Sequence, residues 1–144
     1  MFIFTPNTLI KSAEVNANFD ELKAKTDYLS APDTSWKYIG ATGQPAFSNS
    51  WVNYETSESS FYAAAFYKDA LGFVHLRGIV KNGTVNTAMF TLPTGYRPLR
   101  QIGFAVNSNN SFGNYRIASN GQAYLESGSN VFVFLDNIHF KAEQ

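Results

Sequence analysis

The chain has 144 residues, and its eleven basic and eleven acidic side chains give a formal net charge of zero with the histidines neutral. This balance argues against a nucleic-acid partner, which requires a positive protein surface, and against electrostatic docking to an anionic membrane. The absence of cysteine excludes disulfide bonds and thiolate chemistry. No apolar run approaches the ~18 residues of a membrane span.

The composition indicates one compact domain with a short appendage. Hydrophobic residues make up 44% of the chain, which suffices for a core, and aromatic residues make up 16%. Charged residues are only 15%, so Asn, Ser, Thr and Gly fill many of the polar positions. This mixture is typical of an extracellular or virion surface that stays soluble through neutral polar groups.

The first predicted element is a helix from Ala13 to about Leu29, with Ser12 as its N-cap. One face follows residue intervals of 4, 3, 4 and 3, which is the a/d seam of a coiled coil. The seam residues are Val15, Phe19, Leu22, Thr26 and Leu29. A lone helix of this length is marginal in water. The residues leave two interpretations open, a helix packed on its own domain or a short parallel coiled coil that leads into a head domain.

Pro, Ser and Asp within residues 30–35 predict a linker after the helix. We therefore predict an attachment segment and helical stem in residues 1–33 and a head domain in residues 34–144. Within the head we expect about nine short strands, separated by turn signals roughly every eight to twelve residues. That spacing predicts an all-β sandwich or barrel.

The centre of the predicted head is a strand over residues 73–81. A turn at residues 69–72 precedes it, and Asn82-Gly83, a strong hairpin signal, follows it. We therefore expect residues 86–92 to form the return strand. Residues 61–67 are apolar almost throughout and predict the preceding strand. Residues 107–114 contain four Asn and two Ser and predict a polar loop.

Two polar loops, residues 107–114 and 55–60, supply the candidate ligand-binding residues. Aromatic faces combined with neutral hydrogen-bonding groups suit a sugar, and an aromatic ring inside a polar loop indicates an exposed contact. The candidates are Asn109, Asn110, Phe112 and Tyr115 at one loop and Trp51 and Tyr54 beside the other. The alternative is that the polar residues end strands and the aromatic residues fill the core.

The sequence predicts no catalytic residue, no cofactor and no metal site. The two histidines, His75 and His139, are expected to be ordinary strand residues, and the acidic residues of the head are expected to be solvated turn residues. No Gly-x-Ser-x-Gly elbow and no glycine-rich phosphate loop are present.

Several short motifs stand out along the chain. Near the start these are residues 4–8 and 12–19. In the body they are the aromatic-Lys-Asp and Gly-x-Val-x-Leu-x-Gly pattern of residues 66–78 and the proline-glycine segment 91–98. Near the end they are the Gly121 turn and the strand over residues 135–140. In their order and spacing, these motifs resemble those of small bacteriophage tail-fibre or receptor-binding proteins.

The resemblance implies a homotrimer with a three-stranded helical stem and a jelly-roll-like antiparallel β-sandwich head. It also implies that the head binds a host-surface glycan or protein, and that residues 1–30 join other tail or baseplate proteins at a tail fibre or tail tip. Three functions are therefore to be compared: a non-enzymatic adhesin, a glycan hydrolase or lyase at the fibre tip, and a structural virion component without receptor binding.

Overall fold

The computed structural model describes residues 12–30 and 35–144, with side chains described for residues 13–27 and 35–144. The chain divides into two compact units, Met1–Pro32 and Asp33–Gln144. The predicted boundary after residue 33 lies one residue from this division. The predicted entry segment 1–11, most of the predicted linker 30–35 and the side chain of Leu29 lie outside the described residues.

The first unit contains the helix α1, Ser12–Ser30, as the sequence predicts. Its surface carries two i,i+4 ion pairs, Lys25–Glu21 and Lys23–Asp27, each 2.8 Å long. On the predicted seam, the side chains of Phe19 and Leu22 are 65% and 59% exposed. The helix therefore presents an apolar seam beside a surface bearing ion pairs.

The second unit is built from strands in two antiparallel sheets. The described residues contain eleven strands: β1 Lys37–Tyr38, β2 Val52–Asn53, β3 Ala65–Lys68, β4 Phe73–Arg77, β5 Ile79–Lys81, β6 Phe90–Thr91, β7 Ile102–Ser108, β8 Ser111–Ile117, β9 Gln122–Ser127, β10 Val133–Phe134 and β11 His139–Lys141. The small sheet has the order β1-β3-β4-β11, and the large sheet has the order β2-β5-β10-β7-β8-β9-β6. The prediction of a mainly β, sandwich-like fold with one short N-terminal helix is confirmed.

The core lies between the two sheets. Alternate residues of each strand point inward, because successive side chains of a strand leave opposite faces. The small sheet contributes Phe66, Val74 and Leu76, all nearly inaccessible to solvent. The large sheet contributes a longer set of buried residues: Val80, Val106, Tyr115, Ile117, Leu125 and Val133.

The predicted central strand over residues 73–81 is instead two strands in different sheets. β4 belongs to the small sheet and β5 to the large sheet, and only Gly78 separates them. Gly78 has a φ of +101°, which glycine adopts readily, and a Cβ there would lie 2.5 Å from the carbonyl oxygen of Ala63. The chain therefore changes sheets at a position that only glycine fits without strain.

The hairpin predicted at Asn82-Gly83 is wrong. β5 pairs with β2 and β10, whereas the short strand β6 pairs with β9 at the far edge of the large sheet. The Asn82 amide donates to the carbonyl of Asn130 at 2.8 Å, so this turn is tied to a distant part of the chain. Only Phe90–Thr91 of the predicted return strand 86–92 is β-strand.

Two other segments differ from their predictions. In residues 61–67, the strand begins only at Ala65, and residues 61–64 carry no regular structure. The predicted polar loop 107–114 is a tight hairpin, in which β7 and β8 pair from Ile102–Ile117 to Ser108–Ser111. The connection is Asn109-Asn110, with φ values of 53° and 60°, which correspond to a type I′ turn.

Candidate ligand-binding face

The outer face of the large sheet carries several aromatic side chains. The strand register shows which side chains lie on this outer face. Val133 pairs with Val80 and with Ser108, and all three side chains are buried on the inner face. The alternate positions therefore point away from the core. On this outer face Phe134 lies opposite Ile79, and Asn107 lies opposite Phe112.

Four rings form a closed cluster on this face: Tyr54, Phe61, Phe132 and Phe134. The centroids of neighbouring rings are 5.9 to 6.1 Å apart, and each of these four neighbouring pairs meets edge to face. Pairs in this geometry contribute roughly 0.5–1.5 kcal/mol beyond their buried area. Ile79 is buried at the base of this face, and the Lys81 ammonium lies 4.8 Å from the centre of the Tyr54 ring. We call these four rings the aromatic cluster.

The aromatic cluster forms one side of an open pocket of about 200 Å³. Asn107 and Asn110 complete the lining. A carboxamide offers both donors and acceptors, whereas the rings offer flat apolar surface. The pocket therefore combines the two kinds of group that hold a sugar: surface for its C–H face and partners for its hydroxyls.

The Asn109-Asn110 turn fixes the polar side of the pocket. The Asn110 amide donates to Oδ1 of Asn107 at 2.9 Å, and the Asn109 amide donates to the carbonyl of Phe132 at 3.0 Å. The first bond orients the Asn107 carboxamide, and the second ties the turn to the segment that carries the aromatic cluster. Both bonds are donated by backbone amides of the turn, so the polar side of the pocket does not depend on long, flexible side chains.

Glu55 organises the loop that supplies Phe61. Its carboxylate accepts hydrogen bonds from Ser57 Oγ at 2.7 Å, from the Ser59 amide at 2.7 Å and from the Phe61 amide at 3.3 Å, and it also accepts from Ser59 Oγ. The hydroxyls of Ser57 and Ser59, assisted by backbone amides, lower the pKa of Glu55 to about 2. The ionised carboxylate therefore acts as the centre of this loop.

The structure brings together part of the sequence-predicted set. Tyr54 and Asn110 line the pocket, and Asn109 shares the turn with Asn110. Phe112 is 67% exposed and lies directly across the strand pair from Asn107. These four residues lie on or beside the same face.

The prediction of Trp51 and Tyr115 as ligand contacts is wrong, because both side chains are buried in the core. Trp51 is 1% exposed and donates its indole N–H to the carbonyl of Thr84 at 3.2 Å. Tyr115 is inaccessible, and burial raises the pKa of its hydroxyl far above the ordinary value. Tyr115 occupies an inward position of β8, between the half-buried residues Asn114 and Arg116. The polar character of these neighbours had suggested an exposed segment.

Sequence reasoning missed Phe61, Phe132 and Phe134, and it placed Asn107 in the polar loop without choosing it as a ligand contact. A signal for two of them was present: residues 131–135 are apolar at every position, so that strand must carry hydrophobic side chains on both faces. Such a strand in an antiparallel sheet either is covered or presents an apolar surface. Phe61 carried no comparable signal, because only the folded Glu55 loop brings it to the sheet.

Among the described residues, no group of three or more His, Asp or Glu side chains is arranged to hold a metal ion. The helix in the described part of the chain is not both long and apolar enough to cross a membrane. A scan against protein-family models, a search of curated proteins and a search of solved structures each give no match to this chain.

Proposed function

We propose that this chain is a bacteriophage tail-fibre or receptor-binding protein, a non-enzymatic adhesin that attaches a virion to a glycan on the host surface. The observation that carries the binding function is the pocket between the aromatic cluster and the two asparagines. The sequence resemblance described above supports the setting, a virion tail fibre or tail tip.

The assembly proposed is a homotrimer. The seam of α1 would bring three helices together, residues 1–30 would join other tail proteins, and each head would present one pocket. A pocket of this size and openness suits a short stretch of saccharide held weakly. Three such sites on one trimer raise the apparent affinity for the host surface, because the second and third contacts form at high effective concentration.

The test compares binding of the folded full chain with that of Asn110→Gly. Glycine retains the left-handed backbone of the turn and removes only the carboxamide. The matched control is Asn82→Gly, since Asn82 is also exposed with a φ of 67° but does not line the pocket. Binding is measured on immobilised neutral hexose and N-acetylhexosamine oligosaccharides and on host cells.

We expect Asn110→Gly to weaken binding about five- to tenfold per site, the value of one or two neutral hydrogen bonds, and Asn82→Gly to leave it unchanged. A second variant, Phe132→Leu, should weaken binding while retaining apolar volume. If the folded chain binds neither glycans nor cells, a structural virion role replaces the adhesin. If it shortens a host polysaccharide, an enzyme replaces it.

A further inference from the structure

The outer face of the small sheet carries a row of rings that runs across β11, β4 and β3 and ends beside β1. Tyr67, His75 and His139 are in register on β3, β4 and β11. Tyr67 and His75 stack with centroids 4.9 Å apart, and the two histidine rings are 6.2 Å apart. Trp36, just before β1, meets Tyr67 edge to face at 4.5 Å.

Arg77 lies on the same face, two residues beyond His75 on β4. Its guanidinium lies 4.3 Å from the centre of the Trp36 ring and 4.2 Å from that of Tyr62. One of its amino groups donates to the Tyr38 hydroxyl at 2.7 Å. Among the described residues, no carboxylate lies within ion-pair distance of this guanidinium, and Glu58 reaches it only through the Tyr38 hydroxyl, 3.4 Å away.

Arg116 on the large sheet provides a comparison. Its guanidinium also lies over a ring, that of Tyr124 at 4.5 Å, but it forms an ion pair of 3.2 Å with Glu126. Two arginines therefore share the same ring contact, and only Arg116 has its charge neutralised by a neighbouring acid. The guanidinium of Arg77 has no such ion pair among the described residues.

The acidic groups beside this row are already engaged. Asp69 Oδ2 lies 2.8 Å from Nε2 of His75, and Asp69 Oδ1 accepts from the amides of Leu71 and Phe73. Burial alone would raise the pKa of Asp69, but these hydrogen bonds outweigh it and lower the pKa. Asp136 accepts from the Gly78 amide at 3.0 Å. These bonds fix the His75 ring, and among the described residues they leave no carboxylate in an ion pair with Arg77.

We propose that this face holds a second binding site, for a saccharide that carries an acidic group. Its open cleft has a volume of about 390 Å³, and its lining includes Trp36, Tyr62, Tyr67, His75, Arg77 and His139, together with the acidic residue Asp136. One oxygen of the Asp136 carboxylate is engaged by the Gly78 amide. The rings pack against the sugar, and the guanidinium binds its carboxylate or phosphate through charge-assisted hydrogen bonds. His139, which is exposed, supplies a further donor at the open end.

This site is separate from the pocket on the large sheet and does not depend on it. The neighbouring residues Phe61 and Tyr62 point to the two different faces, Phe61 into the aromatic cluster and Tyr62 over Arg77. Asn110→Gly tests the first site, and Arg77→Gln tests the second. If one variant shows no effect on binding, the proposal for the other site is unaffected.

The experiment titrates the full chain with a uronic-acid disaccharide and with its carboxyl-reduced neutral counterpart, and follows the His75 and His139 ring signals by NMR. A hexose phosphate forms a parallel arm that separates phosphate recognition from carboxylate recognition. We expect at least one acidic ligand to bind about tenfold or more tightly than the neutral disaccharide, since hydrogen bonds to charged groups are the stronger ones.

Arg77→Gln should reduce the acidic ligand to the affinity of the neutral one, and Arg77→Lys should keep part of the preference. Arg116→Gln is the matched control and should change nothing. His139→Gln provides a test at an exposed residue in case Arg77→Gln does not fold, and should weaken the acidic ligand severalfold. Equal binding of acidic and neutral ligands, no binding of any of the three at millimolar concentration, or an equal loss from Arg116→Gln would overturn the proposal.

Discussion

The Tyr115 hydroxyl is buried in the core without a hydrogen-bond partner among the described protein groups. An unpaired hydroxyl in an apolar interior costs roughly 1–3 kcal/mol, so its removal should not harm the fold. We predict that Tyr115→Phe keeps or raises the free energy of unfolding, by up to about 1 kcal/mol. Urea or thermal unfolding measures this change in the free energy of unfolding. Tyr115→Phe should bind glycans as the wild-type chain does. A loss of glycan binding without a loss of stability would show that the Tyr115 hydroxyl takes part in binding.

Trp51 and Gly83 show why single residues are hard to place from sequence. Trp51 follows the polar residues Asn49 and Ser50 and resembles an exposed binding residue in sequence, but its indole packs on the backbone of Gly83. A Cβ at Gly83 would lie 2.0 Å from the indole ring. This glycine, which in sequence suggests a hairpin turn, serves instead to make room for a tryptophan 32 positions earlier. No local pattern carries that information.

At the scale of elements, local chemistry predicted the helix and some of the turns, but it predicted strand partners poorly. Asp69 forms the predicted turn through its own backbone and side chain, with the Gly72 amide donating to the Asp69 carbonyl at 3.0 Å. The helix and its Glu21–Lys25 pair also follow from local spacing. The change of sheets at Gly78 and the pairing of β6 with β9 did not, because both depend on residues far away in the chain.

The loop held by Glu55 gives a prediction for acid conditions. The pKa of Glu55 is lowered in the folded chain to about 2, from an ordinary value of 4.5. The stabilisation it provides is therefore fully present above about pH 4.5, and it is lost as the pH falls through the interval towards about 2. We predict that Glu55→Gln lowers the melting temperature at pH 7, and that the difference from wild type shrinks as the pH is lowered.

Thermal melts of both chains at pH 7, 4 and 2.5 measure this effect. Glu143→Gln is a suitable control, because the Glu143 carboxylate accepts a single described hydrogen bond, of 3.3 Å, from the Leu99 amide. Since Glu55 also positions Phe61, Glu55→Gln should weaken binding at the aromatic cluster at pH 7. A constant difference in melting temperature across the whole pH range would show that the charge of Glu55 does not hold the loop.

At the scale of the whole molecule, the trimeric adhesin depends on whether the seam of α1 associates with other copies of itself. Its seam residues Phe19 and Leu22 are largely exposed, and a helix of 19 residues is marginal in water unless its apolar face is covered. A three-stranded coil would cover the seam with the same residues of two further chains. It would also bring three heads together, which the avidity of a fibre requires.

We predict that the full chain has a solution mass about three times the 16.0 kDa of one chain. Leu22→Asp places a charge in the seam and should reduce that mass towards one chain, because an unpaired charge in an apolar interface is costly. Ala24→Asp adds the same charge to the same helix away from the seam, and should leave the trimer intact. Sedimentation equilibrium distinguishes these outcomes.

A trimer that survives Leu22→Asp, and also survives removal of residues 1–33, would place the subunit contacts in the heads. A full chain that sediments as one copy would reduce the adhesin to a single-site binding module, with residues 13–29 interpreted as a helix that packs on its own domain.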